Sequence, residues 1–203
     1  MKKYIGAIWN KYNSHFNCEA SEIHVNKFWD EEDAEAPPIS ICVYKKEDTG
    51  LQYDVALTAG MSWRPMNFGE EFKGDRWSTE LIQYFQTIEG EDVDWLLWLS
   101  CLPYWDKFAL GYGHTVSYTE PLYNESILSN FLFLNTLIKN DQEIFSGFQV
   151  APYPVDLLWV VPITSAEYEL KISEGLDPIF DLFDANQHPI LLDKTRRSYI
   201  KNA

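Results

Sequence analysis

Four histidines, three cysteines and 31 acidic residues are the side chains of this 203-residue sequence best suited to chemistry. The histidines are His15, His24, His114 and His188, and no two stand at the helical spacing that would bring two imidazoles to one metal. There is no H-E-x-x-H. The cysteines, Cys18, Cys42 and Cys101, are far apart and sit in apolar contexts, and no C-x-x-C pair exists. That excludes a zinc ribbon and a thioredoxin-like site. No G-x-S-x-G elbow offers a serine nucleophile. No G-x-x-x-x-G-K-[ST] loop cradles a phosphate, and Gly111-Tyr112-Gly113 is too short to do so. A carboxylate pair drawn from Glu70, Glu71 and Asp75 would be arbitrary among so many acids. The residues therefore name no catalytic group, no metal and no cofactor. His114 is the one candidate, because a glycine turn would hold its ring in a fixed orientation. Either it hydrogen-bonds a backbone carbonyl and locks the turn, or it centres a dispersed enzyme site.

The element that must position His114 is the stretch from Glu91 to Val116. Trp95 to Leu99 are five consecutive apolar residues in a helical context, and an all-round apolar helix must be surrounded by other elements. The stretch is therefore expected to be the central core helix. Its acids Glu91, Asp92 and Asp94 suit a helix start near Asp92. Pro103 should end it near Leu102, with a short further turn from Pro103 to Phe108.

Around it, Lys2 to Phe16 reads as an amphipathic helix, with Tyr4, Ile5, Ile8, Trp9, Tyr12 and Phe16 spaced by threes and fours. Glu22 to Trp29 alternates like a strand. Ile39 to Tyr44 and Gln52 to Thr58 form a hairpin pattern around the turn-rich Lys45 to Gly50. Ala59 to Met66 is a loop of large side chains that should fold under and pack. Thr79 to Thr87, Ile127 to Leu137, Phe145 to Val150 and Leu157 to Ile163 are strand-like. Thr164-Ser165-Ala166-Glu167 is a capping box opening a helix that Gly175 ends. Asp177-Pro178 is an N-cap and first-turn proline opening another. Helices and strands do not alternate strictly, so the expectation is an α+β fold, a mixed β-sheet packed against helices in one sandwich-like domain spanning 1–203.

The net charge of −15 disfavours nucleic acid and anionic membrane, and either favours a basic protein partner or serves solubility alone. No apolar run approaches 18 residues, and the polar YIGAIWNK after Met1-Lys2-Lys3 is not a signal core, so a cytoplasmic protein with reduced thiols is expected. Acidic residues in loops are the candidate partner contacts: Glu31, Glu32, Asp33 and Glu35 in the run Asp30 to Glu35, and Glu70 and Glu71 in the stretch Phe68 to Asp75. Trp63 is a candidate apolar anchor. The tail from Asp193 carries the main basic cluster, Lys194, Arg196, Arg197 and Lys201.

Four segments together resemble the suppressor-of-fused (SUFU) domain family. They are LTAGMSWRPM at Leu57 to Met66, TELI at Thr79 to Ile82, the long helix ending in GYGHTV at Gly111 to Val116, and LLWVVPITSAEYELKISEGLDPIFDLFD at Leu157 to Asp184. Order and spacing agree over roughly residues 36–199, leaving 1–35 as an N-terminal helix-and-strand extension. The resemblance implies a non-catalytic domain that binds proteins. Animal members carry a second domain and sequester a transcription factor, whereas bacterial single-domain relatives look like immunity proteins of polymorphic toxin systems. The matched motif residues are Gly60, Met61, Arg64, Pro65, Met66, Gly113, His114 and Thr115, whose first task would be to hold the fold. Trp63 stands where the family is often polar. The alternatives are an enzyme around His114 and a scaffolding module anchored by Trp63.

Overall fold

The computed structural model describes residues 2–26, 38–66, 77–105, 109–148 and 153–201. Among these residues, seven strands form one mixed sheet in the order β1-β2-β3-β4-β7-β6-β5. They are β1 Glu22–Val25, β2 Ser40–Tyr44, β3 Asp54–Ala59, β4 Ser78–Phe85, β5 Thr115–Ser117, β6 Leu128–Asn135 and β7 Val155–Thr164. The first four pair antiparallel in sequence order, as do β7, β6 and β5. The two halves meet at one parallel pair, β4 with β7, in register from Ser78 opposite Val155 to Ile82 opposite Trp159.

Helices cover both faces. On one lie α1 Lys2–Phe16, α5 Ser165–Glu174 and α6 Asp177–Ala185, and on the other lies α3 Gly90–Trp105. This is why β7 reads as an unbroken apolar run from Leu157 to Ile163 and why β4 is buried along its whole length. In β7, Leu157, Trp159, Val161 and Ile163 face the α1 side while Leu158 and Val160 face α3. The predicted amphipathic helix is found over its whole length, with Tyr4, Ile8, Tyr12 and Phe16 buried against the sheet. The predicted β2–β3 hairpin is found too. Its connection holds a short helical turn, α2 Lys46–Thr49, closed by Gly50 in the left-handed region.

Four expectations need correction. The apolar helix α3 covers one face of the sheet and is not enclosed. Trp95 and Trp98 are half-buried and Trp105 is 44% exposed. Pro103 lies inside α3, which runs on to Trp105. A proline so near the C-terminus forfeits one backbone bond, to the Leu99 carbonyl, and disturbs no later turn. Phe145 to Phe148 is a turn following the short helix α4 Lys139–Gln142 and not a strand, and Phe145 packs its ring on Tyr12. Asp177 is the first residue of α6, with Leu176 at the cap position in helical geometry. Positions 149–150, 106–108 and 27–29 of the expected elements lie outside the described residues.

The basic tail is used inside the fold. Beyond Trp159, β7 leaves β4, and the chain from His188 to Arg196 occupies the wedge between them. The Leu192 N–H donates to the Tyr84 carbonyl at 2.9 Å, and Arg196 Nη2 donates to the Pro162 carbonyl at 3.0 Å. Pro162 is tolerated because its nitrogen lies where no further strand needs a donor. Arg196 also grips Glu167 with both arms, at 2.8 and 2.6 Å. Glu167 is fully buried and completes the capping box with Thr164. Burial works to raise its carboxyl, but Arg196 and the backbone donors of Tyr199 and Thr164 outweigh that and hold it below the usual range. Lys194 similarly meets Glu89 and the buried Asp92.

Arg196→Met should strand the Glu167 charge in the interior and cost about 3–5 kcal/mol in urea unfolding. Adding Glu167→Gln to that variant should recover part of the loss, because no uncompensated charge is then left.

Candidate functional site

Glu80, on β4, is 0% exposed and faces donors only. The Thr58 hydroxyl donates to Oε2 at 2.6 Å. The Gly60 N–H at 3.0 Å, the Ser62 N–H at 2.9 Å and the Ser62 hydroxyl all donate to Oε1. This one carboxylate thus gathers the end of β3 and the 3₁₀ turn Met61–Trp63. Gly60 sits between them at φ +111°, and a Cβ there would press on the Pro38 carbonyl at 3.2 Å. Only glycine takes that conformation readily.

Four tyrosine hydroxyls hold the carbonyls of the same loop. Tyr12 donates to Thr58 O at 2.7 Å and Tyr104 to Met61 O at 2.7 Å. Tyr4 lies 2.8 Å from Ser62 O, and Tyr153 reaches Ser62 O and Trp63 O at 3.0 and 2.9 Å. The loop Leu57 to Met66 is therefore fixed from α1, α3, β4 and Tyr153 at once. Met61 and Met66 are buried in the α3-side core, Pro65 is half-buried and Arg64 is exposed. Trp63 packs edge to face on Tyr4 at 5.3 Å and is half-buried, the packing expected of a large loop side chain.

His114 locks its turn. Its Nδ1–H donates to the Ala109 carbonyl at 2.8 Å and its backbone N–H to the Gly111 carbonyl at 3.0 Å. The Gly113 N–H and His114 carbonyl then pair with Phe133 of β6, and Thr115 starts β5. Gly113 is at φ +77°, and a Cβ would meet Leu176 Cδ1 at 2.8 Å. His114 is exposed, so its turn-closing bonds are made at the surface. Glu31, Glu32, Asp33, Glu35, Glu70 and Glu71 lie outside the described residues.

Other polar groups are likewise used structurally. His15 Nε2 and Asp141 Oδ1 stand 2.7 Å apart, and the Tyr84 hydroxyl donates to Asp141 Oδ2 at 2.6 Å, joining α1 to β4 and α4. His188 stacks on Phe183 at 4.0 Å, and burial lowers its pKa to about 4. A depression of about 250 Å³ beside Asn135, Gln142 and Asp156 carries one carboxylate, raised by burial. Among the described residues no group of three or more His, Cys, Asp or Glu is placed to hold a metal ion. The three cysteines are free, and burial raises Cys42 to about 12 and Cys101 to about 11. Among the described residues, no helix is long and apolar enough to cross a membrane. Sequence reasoning found the loop and the TELI segment but not Glu80 as their link. The signal was a carboxylate inside an apolar strand run, T-E-L-I, where an acid needs partners.

A mixed α+β sheet with helices on both faces, and loops anchored by a buried carboxylate and a ring of tyrosines, defines a domain whose buried carboxylates Glu80 and Glu167 are bonded within its own fold. The family model described as Suppressor of fused protein (SUFU) matches residues 35–197, and the chain belongs to that family. A SUFU homologue from Neisseria gonorrhoeae FA 1090 has the same fold, with a TM-score of 0.69, 18% identity and coverage of 100% of both chains. A chain of the Sufu–Fu complex crystal structure aligns at a TM-score of 0.64 and 15% identity, over 97% of this chain and 92% of that one. Drosophila Suppressor of Fused aligns at 0.60 and 13% identity over 97% of this chain and 51% of that one. No curated protein matches the sequence.

Burial raises the Glu80 carboxyl to about 7 from 4.5, against the pull of its four donors. The folded state then keeps a proton that the unfolded state gives up between those values, so Glu80 makes stability fall as pH rises through 4.5–7. His188 works the other way from its ordinary 6.5 down to about 4, where stability falls as pH drops. The two oppose one another in the overlap and mask each other in the wild type. Glu80→Gln should therefore remove a downward slope on the order of 3 kcal/mol between pH 5 and 8. Urea midpoints measured across that range, compared as slopes and not as absolute values, provide the check.

Proposed function

We propose that this chain is a non-catalytic protein-binding domain acting in the cytoplasm, and that it serves as an immunity protein that occludes a basic toxin of a polymorphic toxin system. The observation that carries the reading is membership of a family for which a solved structure is named as a complex of two proteins, Sufu and Fu. The shared fold of a bacterial homologue supports the bacterial form of that role. A formal charge of −15 supports a basic partner, since complementary fields raise the rate of encounter and discriminate against wrong partners.

The enzyme alternative finds less support. Glu80 is enclosed by donors of its own loop, and His114 spends Nδ1 on a backbone carbonyl. Occlusion requires instead a body that does not deform, and the tyrosine-held loop and the Arg196–Glu167 anchor supply one.

Co-expression with the product of the adjacent gene should give a complex by size-exclusion chromatography at low salt that dissociates toward about 1 M salt, where the screening length is ~3 Å. Absence of any complex at low salt with either neighbouring product would count against the reading. His114→Ala should leave that complex intact and lower stability by about 1 kcal/mol, the worth of one hydrogen bond. A variant that abolishes an activity at unchanged melting temperature would favour the enzyme reading instead.

A further inference from the structure

Residues 91, 94, 95 and 98 stand at i, i+3, i+4 and i+7 and so share one side of α3. That side runs along the solvent-bordering flank of the helix: Glu91 and Asp94 are exposed, while Trp95 and Trp98 are half-buried and pack in part against the core. Tyr118, just beyond edge strand β5, is 37% exposed and completes a three-ring group with them. Trp95 lies 5.7 Å from Trp98 and 5.1 Å from Tyr118, and Trp98 lies 5.8 Å from Tyr118, all edge to face. The group is held rigidly. The Trp95 indole N–H donates to the Leu122 carbonyl at 2.7 Å, and its ring backs onto Phe131 at 5.5 Å. Exposed Glu120 follows Tyr118 by two residues.

Two half-buried tryptophans that follow two carboxylates along one flank of a helix are unusual there, since the solvent side of a helix is ordinarily polar throughout. Its parts suit one chemistry. Aromatic faces attract a guanidinium, and adjacent carboxylates accept its forked N–H groups. Lysine, a compact and strongly hydrated charge, exploits neither as well. A chain of charge −15 would steer a basic partner toward it.

Resting on the protein-binding reading above, the geometry points to the exposed flank of α3 around Trp95, Trp98 and Tyr118, with Glu91 and Asp94 on the same flank, as a docking surface for an arginine-bearing segment of a protein partner. The partner would insert arginine side chains over the rings, with their guanidinium groups on those carboxylates.

The probe is a short peptide alternating glycine and arginine, added to the full ¹⁵N-labelled chain, with the lysine version as control. Indole N–H resonances are assigned with Trp95→Phe and Trp98→Phe. The arginine peptide should shift the Trp95 and Trp98 signals saturably and bind several-fold to tenfold more tightly than the lysine peptide. Trp98→Leu, which keeps an apolar side chain, should weaken it by a similar factor. So should Glu91→Gln with Asp94→Asn, provided its melting temperature, measured beside the binding, shows that the loss of the first-turn acid Glu91 has not unfolded α3. The proposal is overturned by indoles that do not move, by affinity unchanged in both variants, or by shifts that depend on protein concentration alone, which would mean that a second copy occupies the face. If the adjacent-gene product binds while these indoles stay still, the protein-binding reading stands and this surface falls. If the peptide binds here and no partner complex forms, the surface stands and the immunity reading falls.

Discussion

A charged carboxyl in a protein interior must be met by donors or lose its charge, and much of this structure follows from how Glu80 is met. Its donors come from the end of β3, from Gly60 and from Ser62, so the chain must reverse sharply after Ala59. That reversal needs glycine at position 60. It also turns the carbonyls of residues 58, 61, 62 and 63 away from the carboxylate, where tyrosines of α1, α3 and the segment before β7 receive them. The loop from Leu57 to Met66 is thus the outer shell of one desolvated acid, and Met61 and Met66 are buried with it.

A second anchor works by the same logic at the other end of the sheet. Glu167 serves as helix cap, salt-bridge partner of Arg196 and acceptor for Tyr199. Through it the tail closes the gap that opens when β7 leaves β4. The two anchors stand on the two strands that form the parallel junction, β4 and, one turn past its end, β7.

Much of this was legible in the sequence where local chemistry decides. The α1 periodicity, the β2–β3 hairpin, the capping box at Thr164 and the Gly175 stop depend on residues close in the chain and were read correctly. The turn-locking bond of His114 was one of two open readings, and it is the one found. Pairing between distant residues was not legible. Nothing local says that Arg196 answers Glu167 or that Lys194 answers Asp92, so the sequence shows the tail only as the main basic cluster. The apolar run in α3 misled for a related reason. Hydropathy reports that a helix avoids water, but not whether the covering surface belongs to the same chain, and Trp95 and Trp98 are covered only in part.

The arrangement of the sheet has a kinetic corollary. Each antiparallel half is built from strands adjacent in sequence, so its pairings close shorter loops than the parallel junction does. The parallel junction joins strands separated by α3, β5 and β6, the kind of long-range pairing that slows folding. Until it forms, β4 and β7 each present an open apolar edge, the condition under which chains associate with one another. Assembly of this protein is therefore most vulnerable to self-association just before the two halves unite.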